Sequence, residues 1–169
     1  ENFRLSPTIR PVNYDIFFDV NLASSKFSGK ETIDLQITKP TSKIVLHSVD
    51  LKIESASLLS NYKSLKSRIK VDKTKETVTL NFTGNVKGNV KLTLDFSGEL
   101  SDSLLGFYRS IYIENGKEKY LATTQFEAPY ARRAFPCFDE PELKATFDVS
   151  MRISKNLKAV SNMPIKEEL

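Results

Sequence analysis

The chain has 169 residues, 40% of them hydrophobic and 27% charged, which is typical of one globular domain with a core and excludes a disordered chain. Its 25 Lys and Arg against 21 Asp and Glu give a net charge of +4. The densest lysine stretch, Lys63 to Lys75, contains Asp72, so it indicates a solvated hairpin and not a nucleic-acid footprint. We therefore expect no nucleic-acid partner.

One cysteine, Cys137, and one histidine, His47, limit the kinds of site available. A single cysteine cannot form an intrachain disulfide, which favours a reducing compartment. A zinc site needs three or four spaced ligands, so His47 in IVLHSVD indicates an ordinary strand-end histidine and no metal site. No apolar run approaches the roughly 20 residues that cross a bilayer, and no signal-peptide pattern is found, so we expect no membrane partner.

The motifs of most hydrolytic enzymes are also missing. There is no Gly-rich phosphate loop, no Gly-x-Ser-x-Gly elbow and no Cys–His pair near a plausible nucleophile, so we expect no catalytic residue in this chain. It begins at Glu1 rather than Met and ends on MPIKEEL, which predicts a piece of a longer protein.

Apolar and polar residues alternate along most of the chain, which is the period of a half-buried strand. In chain order the predicted strands are YDIFFDV (14–20), ETIDLQIT (31–38), KIVLHS (43–48), LKIESASLL (51–59), ETVTLNF (76–82), GNVKLTLDFSGEL (88–100), GFYRSIYI (106–113), EKYLATTQF (118–126) and ATFDVSMRI (145–153). Pro40 is predicted to end the second strand. The stretch TGNVKGN has turn composition, ENGK predicts an Asn-Gly hairpin turn, and LKIESASLL has an irregularity after Ile53.

About nine or ten strands with almost no helical period predict an all-β domain, multi-stranded, antiparallel and β-sandwich-like. The one predicted helical turn is DEPELKA, residues 139–145. There Asp139 can cap the helix, Pro141 suits its first turn, and Glu140 and Glu142 favour its positive end.

The alternation stops at TTQFEAPYARRAFPCFDEPELKATF, residues 123–147. Loops this long are uncommon in compact domains and are often functional. Glu127 directly follows a predicted strand and precedes Ala-Pro, which ends the ladder. Its carboxylate can bind a cation or an ammonium group, or it can pair with Arg132 or Arg133. The residues alone leave both alternatives open.

The block QFEAPYARRAFPCFDEPELKATF resembles the N-terminal domain of the zinc aminopeptidases related to aminopeptidase N, puromycin-sensitive aminopeptidase and the archaeal tricorn-interacting-factor aminopeptidases. Further resemblances follow in family order, from RLSPTIRPVNYDIFFDVNLASSKFSGKETIDLQI through IVLHSVDLKI and GFYRSIY to AVSNMPI. Together these blocks extend from Arg4 to Ile165.

The resemblance implies that residues 1–169 are one N-terminal β domain, saddle-shaped, that covers a separate catalytic domain. The family's zinc motif, His-Glu-x-x-His with a downstream Glu, and its Gly-x-Met-Glu-Asn loop are not found in this sequence. Zinc would therefore be bound by a catalytic domain absent from this chain. The implied partners are that domain and peptides with a free N-terminus, and the implied location is cytoplasmic.

One active-site piece of the family matches here. Its Q-x-E motif corresponds to Gln125-Phe126-Glu127. The resemblance implies that Glu127 binds the α-amino group of the substrate and that Gln125 lines the first side-chain pocket. The alternative is a non-catalytic β scaffold or protein-interaction module of the same fold.

The neighbouring residues are predicted to be structural. We expect Arg132 and Arg133 to pair with Asp139 or Glu140, or to contact the catalytic domain. Cys137 is expected to be a small buried apolar residue. Tyr108 and Arg109 are expected within the sheet near the same edge, with no chemistry assigned.

Overall fold

The fold is that of a computed structural model, which describes residues 4–169. These residues form nine strands and one short 3₁₀ helix, in the order β1 (Ile9–Asn21), β2 (Lys26–His47), β3 (Lys52–Ser60), β4 (Lys63–Lys66), β5 (Arg68–Asp72), β6 (Thr77–Glu99), β7 (Gly106–Glu114), β8 (Lys117–Gln125), the 3₁₀ helix (Ala131–Arg133) and β9 (Thr146–Arg152). Among them, no helix is long and apolar enough to cross a membrane.

Seven strands make one sheet and two make a separate hairpin. The large sheet has the order β4-β3-β6-β2-β1-β9, with β5 also beside β6, while β7 pairs only with β8. The predicted all-β class is confirmed. The pairing is antiparallel except between β1 and β9, which is parallel. The connection after β8 leads the chain from the hairpin to the edge of the large sheet, where β9 lies beside β1.

Two strand breaks predicted from the sequence are absent, because β2 and β6 continue through them. Pro40 does not end β2, because the strand continues to His47. TGNVKGN is not a turn either, since β6 runs through it from Thr77 to Glu99. The register between β2 and β6 shifts on both sides of Thr41, and Gly84 and Gly88 have φ of 90° and 88°. A bulge in the pairing accommodates the proline, and the ladder resumes beyond it.

Two local predictions are confirmed. The register of β3 against β6 shifts between Ile53 and Ser55, where the sequence pattern is irregular. In the β7–β8 hairpin, Glu114 pairs with Lys117, and the two residues between them, Asn115 and Gly116, have φ of 53° and 72°. These are the left-handed values that a two-residue Asn-Gly turn requires.

The helical turn predicted at DEPELKA is wrong. That segment forms a single turn, closed by the Leu143 N–H donating to the Glu140 carbonyl at 2.9 Å. Its acidic side chains are used elsewhere: Glu140 accepts from the Leu5 backbone N–H at 2.7 Å, and Asp139 accepts from Arg132. The only helix among the described residues is the 3₁₀ turn Ala131–Arg133.

The core lies between the inward face of the large sheet and the segment 134–138. The Phe135 ring packs edge-on against Tyr14 and Phe18 of β1, with centroids 6.0 and 6.4 Å apart. The largest fully buried side chains of the sheet are Tyr14, Ile16, Ile33, Leu35, Ile37, Ile44, Leu46, Leu58, Leu80, Leu92, Leu94 and Phe96. The connection after β8 is therefore one wall of the core, which fixes its position relative to the sheet.

Candidate functional site

Strand β8 brings Gln125 and Glu127 to the surface together. Gln125 is the last residue of β8 and lies opposite Gly106 of β7. Its side-chain Oε1 accepts a hydrogen bond from the Glu127 backbone N–H at 2.9 Å. Both side chains are exposed. The amide of Gln125 thus fixes the backbone that carries the Glu127 carboxylate.

The chain turns back immediately after Glu127. The Ala128–Pro129 peptide bond is cis, and the Tyr130 N–H donates to the Phe126 carbonyl at 3.0 Å. The Arg133 N–H then donates to the Tyr130 carbonyl at 3.1 Å, which begins the 3₁₀ helix. A proline has no N–H for a ladder, so β8 stops here and Glu127 lies at the tip of a closed turn.

The Arg132 guanidinium holds this turn to two other parts of the chain. Its Nε donates to the Asp139 carboxylate at 2.9 Å, and its Nη1 donates to Glu76 at 2.8 Å. Nη2 donates to the Asp139 backbone carbonyl at 3.3 Å, and the Arg132 carbonyl accepts from the Val49 N–H at 2.9 Å. The predicted pairing of Arg132 with Asp139 is confirmed.

Arg133 pairs with neither of the predicted acidic residues, Asp139 and Glu140. Its Nη1 donates to Asp50 at 2.8 Å, and its side chain covers Gly106, where an added Cβ would lie 2.5 Å from the Arg133 Cβ. Within residues 4–169, neither arginine pairs with Glu127, and no ion pair includes that carboxylate. The loop salt bridge that the sequence left open for Glu127 is therefore not formed.

Cys137 and His47 join the connection to the end of β2. Their backbones exchange two hydrogen bonds, with N–H to carbonyl distances of 2.8 and 3.0 Å. Cys137 is buried, as predicted, and burial raises the pKa of its thiol well above the usual value. His47 ends its strand, as predicted, and its Nδ1 accepts a hydrogen bond from the Asp139 N–H at 3.2 Å.

The described residues do not fit a zinc site. In residues 4–169 no group of three or more His, Cys, Asp or Glu side chains is placed to hold a metal ion. The Nδ1 of His47 already accepts a hydrogen bond, and the thiol of Cys137 is protonated by burial, whereas zinc binds the thiolate.

Arg109 has a role that the sequence did not reveal. It lies within β7, as predicted, but its guanidinium also reaches outside the hairpin. It donates to Ser25 at 2.9 Å and to Asp102 at 3.0 Å, and its Cζ lies 4.8 Å from the centre of the Tyr120 ring. These contacts fix the hairpin that ends in Gln125. Ser25 is 84 residues away in sequence, and nothing in the local pattern points to it.

Comparisons with known proteins identify the family of this chain. The model of the peptidase M1 N-terminal domain matches residues 10–169. The chain is 39% identical over 165 residues to aminopeptidase 2 of Candida albicans (strain SC5314 / ATCC MYA-2876), covering 96% of this chain and 18% of the relative. It is 41% identical over 170 residues to puromycin-sensitive aminopeptidase of Caenorhabditis elegans (98% and 18%). It is 40% identical over 171 residues to aminopeptidase M1 of Arabidopsis thaliana (98% and 20%).

The chain is an all-β domain of the kind found in aminopeptidases. It belongs to the peptidase M1 N-terminal domain family, as the sequence resemblance predicted. It spans about a fifth of the length of the curated relatives it matches, with 18–20% of each covered.

Proposed function

We propose that this chain is the substrate-recognition domain of a zinc aminopeptidase, and that Glu127 binds the α-ammonium group of a peptide. One observation carries the proposal: Glu127 is an exposed carboxylate with no ion-pair partner among residues 4–169, on a backbone fixed by Gln125. The Q-x-E motif and the aminopeptidases among the relatives support it.

The chemistry of an exopeptidase requires such a group. A free N-terminus is a compact cation, and a carboxylate binds it through charge-assisted hydrogen bonds. Such a contact is worth about 1.5–3 kcal/mol. It also fixes the distance between the peptide N-terminus and the bond to be cleaved, which limits removal to one residue at a time. Gln125 would line the pocket for the first side chain, next to the carboxylate.

The kinetic test compares variants of the longer enzyme that contains this domain. Loss of the charge in Glu127→Gln should lower kcat/KM for unblocked peptides roughly 10- to 100-fold. Glu142→Gln is the matched control, because its carboxylate lies in the same connection and is 79% exposed. The assignment of Glu127 fails if both variants retain the activity of the parent.

We further propose that three apolar side chains on one face of β9 pack against the catalytic domain of that longer enzyme. Phe147, Val149 and Met151 share one face of β9 and remain 53%, 43% and 40% exposed. In the parallel register they continue the buried row Tyr14, Ile16 and Phe18 of β1, and exposed apolar rows of this kind mark interaction surfaces.

In this proposal zinc is bound by residues outside these 169 positions, since the described residues do not form a zinc site. When bound there, zinc would polarise the scissile carbonyl and activate water. The 169-residue chain alone is accordingly proposed to be inactive as a peptidase. We also propose a cytoplasmic location, which rests on the single unpaired cysteine.

The alternative is a non-catalytic scaffold or protein-interaction module of the same fold, and the exposed row on β9 would serve it equally well. Such a module has no need for an ammonium-binding carboxylate. Substitution of Val149 by Asp would weaken partner binding in either case, because both functions place a partner on β9. Glu127→Gln would have no effect on a scaffold, so its effect on kcat/KM distinguishes the two functions.

A further inference from the structure

His47 lies behind the segment that presents Glu127. It ends β2, is 4% exposed, and shares a hollow of about 390 Å³ with Ala128, Pro129, Arg132 and Asp139. Its Nδ1 is 3.2 Å from the Asp139 backbone nitrogen, which donates a hydrogen bond to it. An imidazole nitrogen accepts a hydrogen bond only when it carries no proton. His47 is therefore neutral in this structure, with its proton on Nε2.

The Asp139 backbone leads from His47 to Arg132. The Asp139 carboxylate accepts from the Arg132 Nε at 2.9 Å and from the Arg132 backbone N–H at 3.3 Å. Arg132 in turn donates to the Asp139 carbonyl at 3.3 Å. Since Arg132 is only 9% exposed, displacement of Asp139 would leave a buried guanidinium with fewer partners.

Arg132 is joined to Glu127 through one short turn. The 3₁₀ helix that contains Arg132 starts at the Tyr130 carbonyl, and the Tyr130 N–H donates to Phe126, the residue before Glu127. Each step from His47 to Glu127 is thus a hydrogen bond or a covalent neighbour.

We propose that His47 is a positioning residue for Glu127, and that protonation of its Nδ1 breaks the hydrogen bond from the Asp139 N–H and loosens the turn that presents Glu127. The consequence for substrate binding rests on the proposed function of Glu127. The loosening of the turn does not, because it concerns only contacts within this chain.

The charges around His47 set the direction of its titration. Burial lowers the pKa of His47, and the Arg132 guanidinium lowers it further. The carboxylates of Asp139 and Glu140 in the connection and of Glu76 before β6 raise this pKa and so oppose both effects. Two further cations, Arg4 and Lys75, line the same hollow. Because the folded pKa is lowered, the stabilisation from neutral His47 is complete above about pH 6.5. It is lost as the pH falls from there through the folded pKa.

NMR on the 169-residue chain tests the proposal, because His47 is its only histidine and gives one set of imidazole signals. With ¹⁵N-labelled histidine, we expect the Nε2–H form at pH 7.5. On acidification, the amide exchange protection factors of Asp139 and Tyr130 should fall roughly fivefold or more. The pH midpoint of this decrease should equal that of the imidazole titration, while the protection factor of the Leu92 amide in the sheet stays unchanged.

His47→Asn is the conservative variant, since the Asn Oδ1 can replace the Nδ1 acceptor but does not titrate. It should keep the protection of Asp139 and Tyr130 and remove its dependence on pH, whereas His47→Ala should lower the protection at every pH. Two results would overturn the proposal: an Nδ1–H tautomer at pH 7.5, or a protection factor of the Tyr130 amide that does not change as the imidazole titrates. The wild-type titration decides the matter even if a variant does not fold. No substrate is used, so a failure of the Glu127 assignment would leave this result unaffected.

Discussion

Arg132 and Asp139 close the connection that carries Glu127. The two residues are joined by a side-chain contact of 2.9 Å and by two further hydrogen bonds to each other's backbone. Both side chains are largely buried, 10% and 14% exposed. The pair therefore closes the segment between β8 and β9 from within.

Loss of the Arg132 guanidinium should destabilise the domain. Arg132→Ala leaves the Asp139 carboxylate nearly buried without its cation, and breaking a buried pair costs about 3 kcal/mol. Urea unfolding should show this loss with an unchanged m-value. Arg132→Lys should recover only part of it, because an ammonium group cannot reproduce the contacts of the planar guanidinium.

The control for this change is Arg10→Ala, since the ion pair of Arg10 with Glu142 spans 4.0 Å between groups that are 52% and 79% exposed. Surface pairs of this kind contribute about 0–1 kcal/mol. Equal losses in the Arg132→Ala and Arg10→Ala variants would contradict the supporting role of Arg132.

Glu31 should make the domain less stable as the pH rises. Its side chain is fully buried, neither carboxylate oxygen has a hydrogen-bond partner among the described residues, and burial raises its pKa well above 4.5. Above pH 4.5 the unfolded chain loses this proton while the folded chain keeps it, so unfolding becomes easier with increasing pH.

Glu31→Gln removes the titration. The stability of the wild type should therefore fall relative to this variant between pH 5 and pH 8, by at most about 1.4 kcal/mol per pH unit. Denaturant unfolding at the two pH values provides the measurement. Parallel pH profiles for wild type and Glu31→Gln would show that Glu31 is not a buried neutral acid.

Gly29 is required by the Phe96 ring. A Cβ at position 29 would lie 2.3 Å from the ring, and Phe96 is only 1% exposed, so the ring has little room to move. Gly29→Ala should cost about 1–3 kcal/mol through overpacking. Phe96→Leu should partly relieve this cost in the double variant, and purely additive losses in thermal unfolding would contradict the explanation.

The Cys137 thiol should be unreactive in the folded chain. It is 5% exposed, and burial raises the pKa of the thiol, so little thiolate exists and reagents have poor access. Ellman's reagent should modify no thiol in the native state and one thiol after unfolding in guanidinium. Rapid native-state labelling would contradict the packing of the segment 134–138 on the sheet.

Local chemistry accounts for the features that the sequence predicted well. Period-two patterns identified the strands other than β4 and β5, which were not predicted. The Asn115-Gly116 turn followed from backbone preference alone. The breaks predicted at Pro40 and in TGNVKGN were wrong because pairing between β2 and β6 overrides local turn preference. The helical turn predicted at DEPELKA was wrong because Asp139 binds Arg132 and Glu140 binds the Leu5 backbone N–H, so neither side chain is left to cap a helix.

Long-range contacts explain what the sequence could not predict around the site. Motif resemblance singled out Gln125 and Glu127, and their assigned roles stay predictions. The support from Glu76, Asp50 and Arg109 depends on residues far apart in sequence, which no local pattern brings together. The burial of Glu31 could have been predicted from the sequence. Positions 31, 33 and 35 lie on the same face of β2, and Ile33 and Leu35 were predicted to point inward.

The most direct test of the central claim is a double-mutant cycle between Glu127 and the substrate ammonium group. In the longer enzyme, the inhibition constants of a peptide and of its analogue without the α-amino group are measured for wild type and for Glu127→Gln. We predict that removal of the amine weakens binding to the wild type roughly 10- to 100-fold and binding to the variant far less, a coupling of about 1.5–3 kcal/mol. An equal loss in both enzymes would contradict the account, because the ammonium group would then be bound by some other residue.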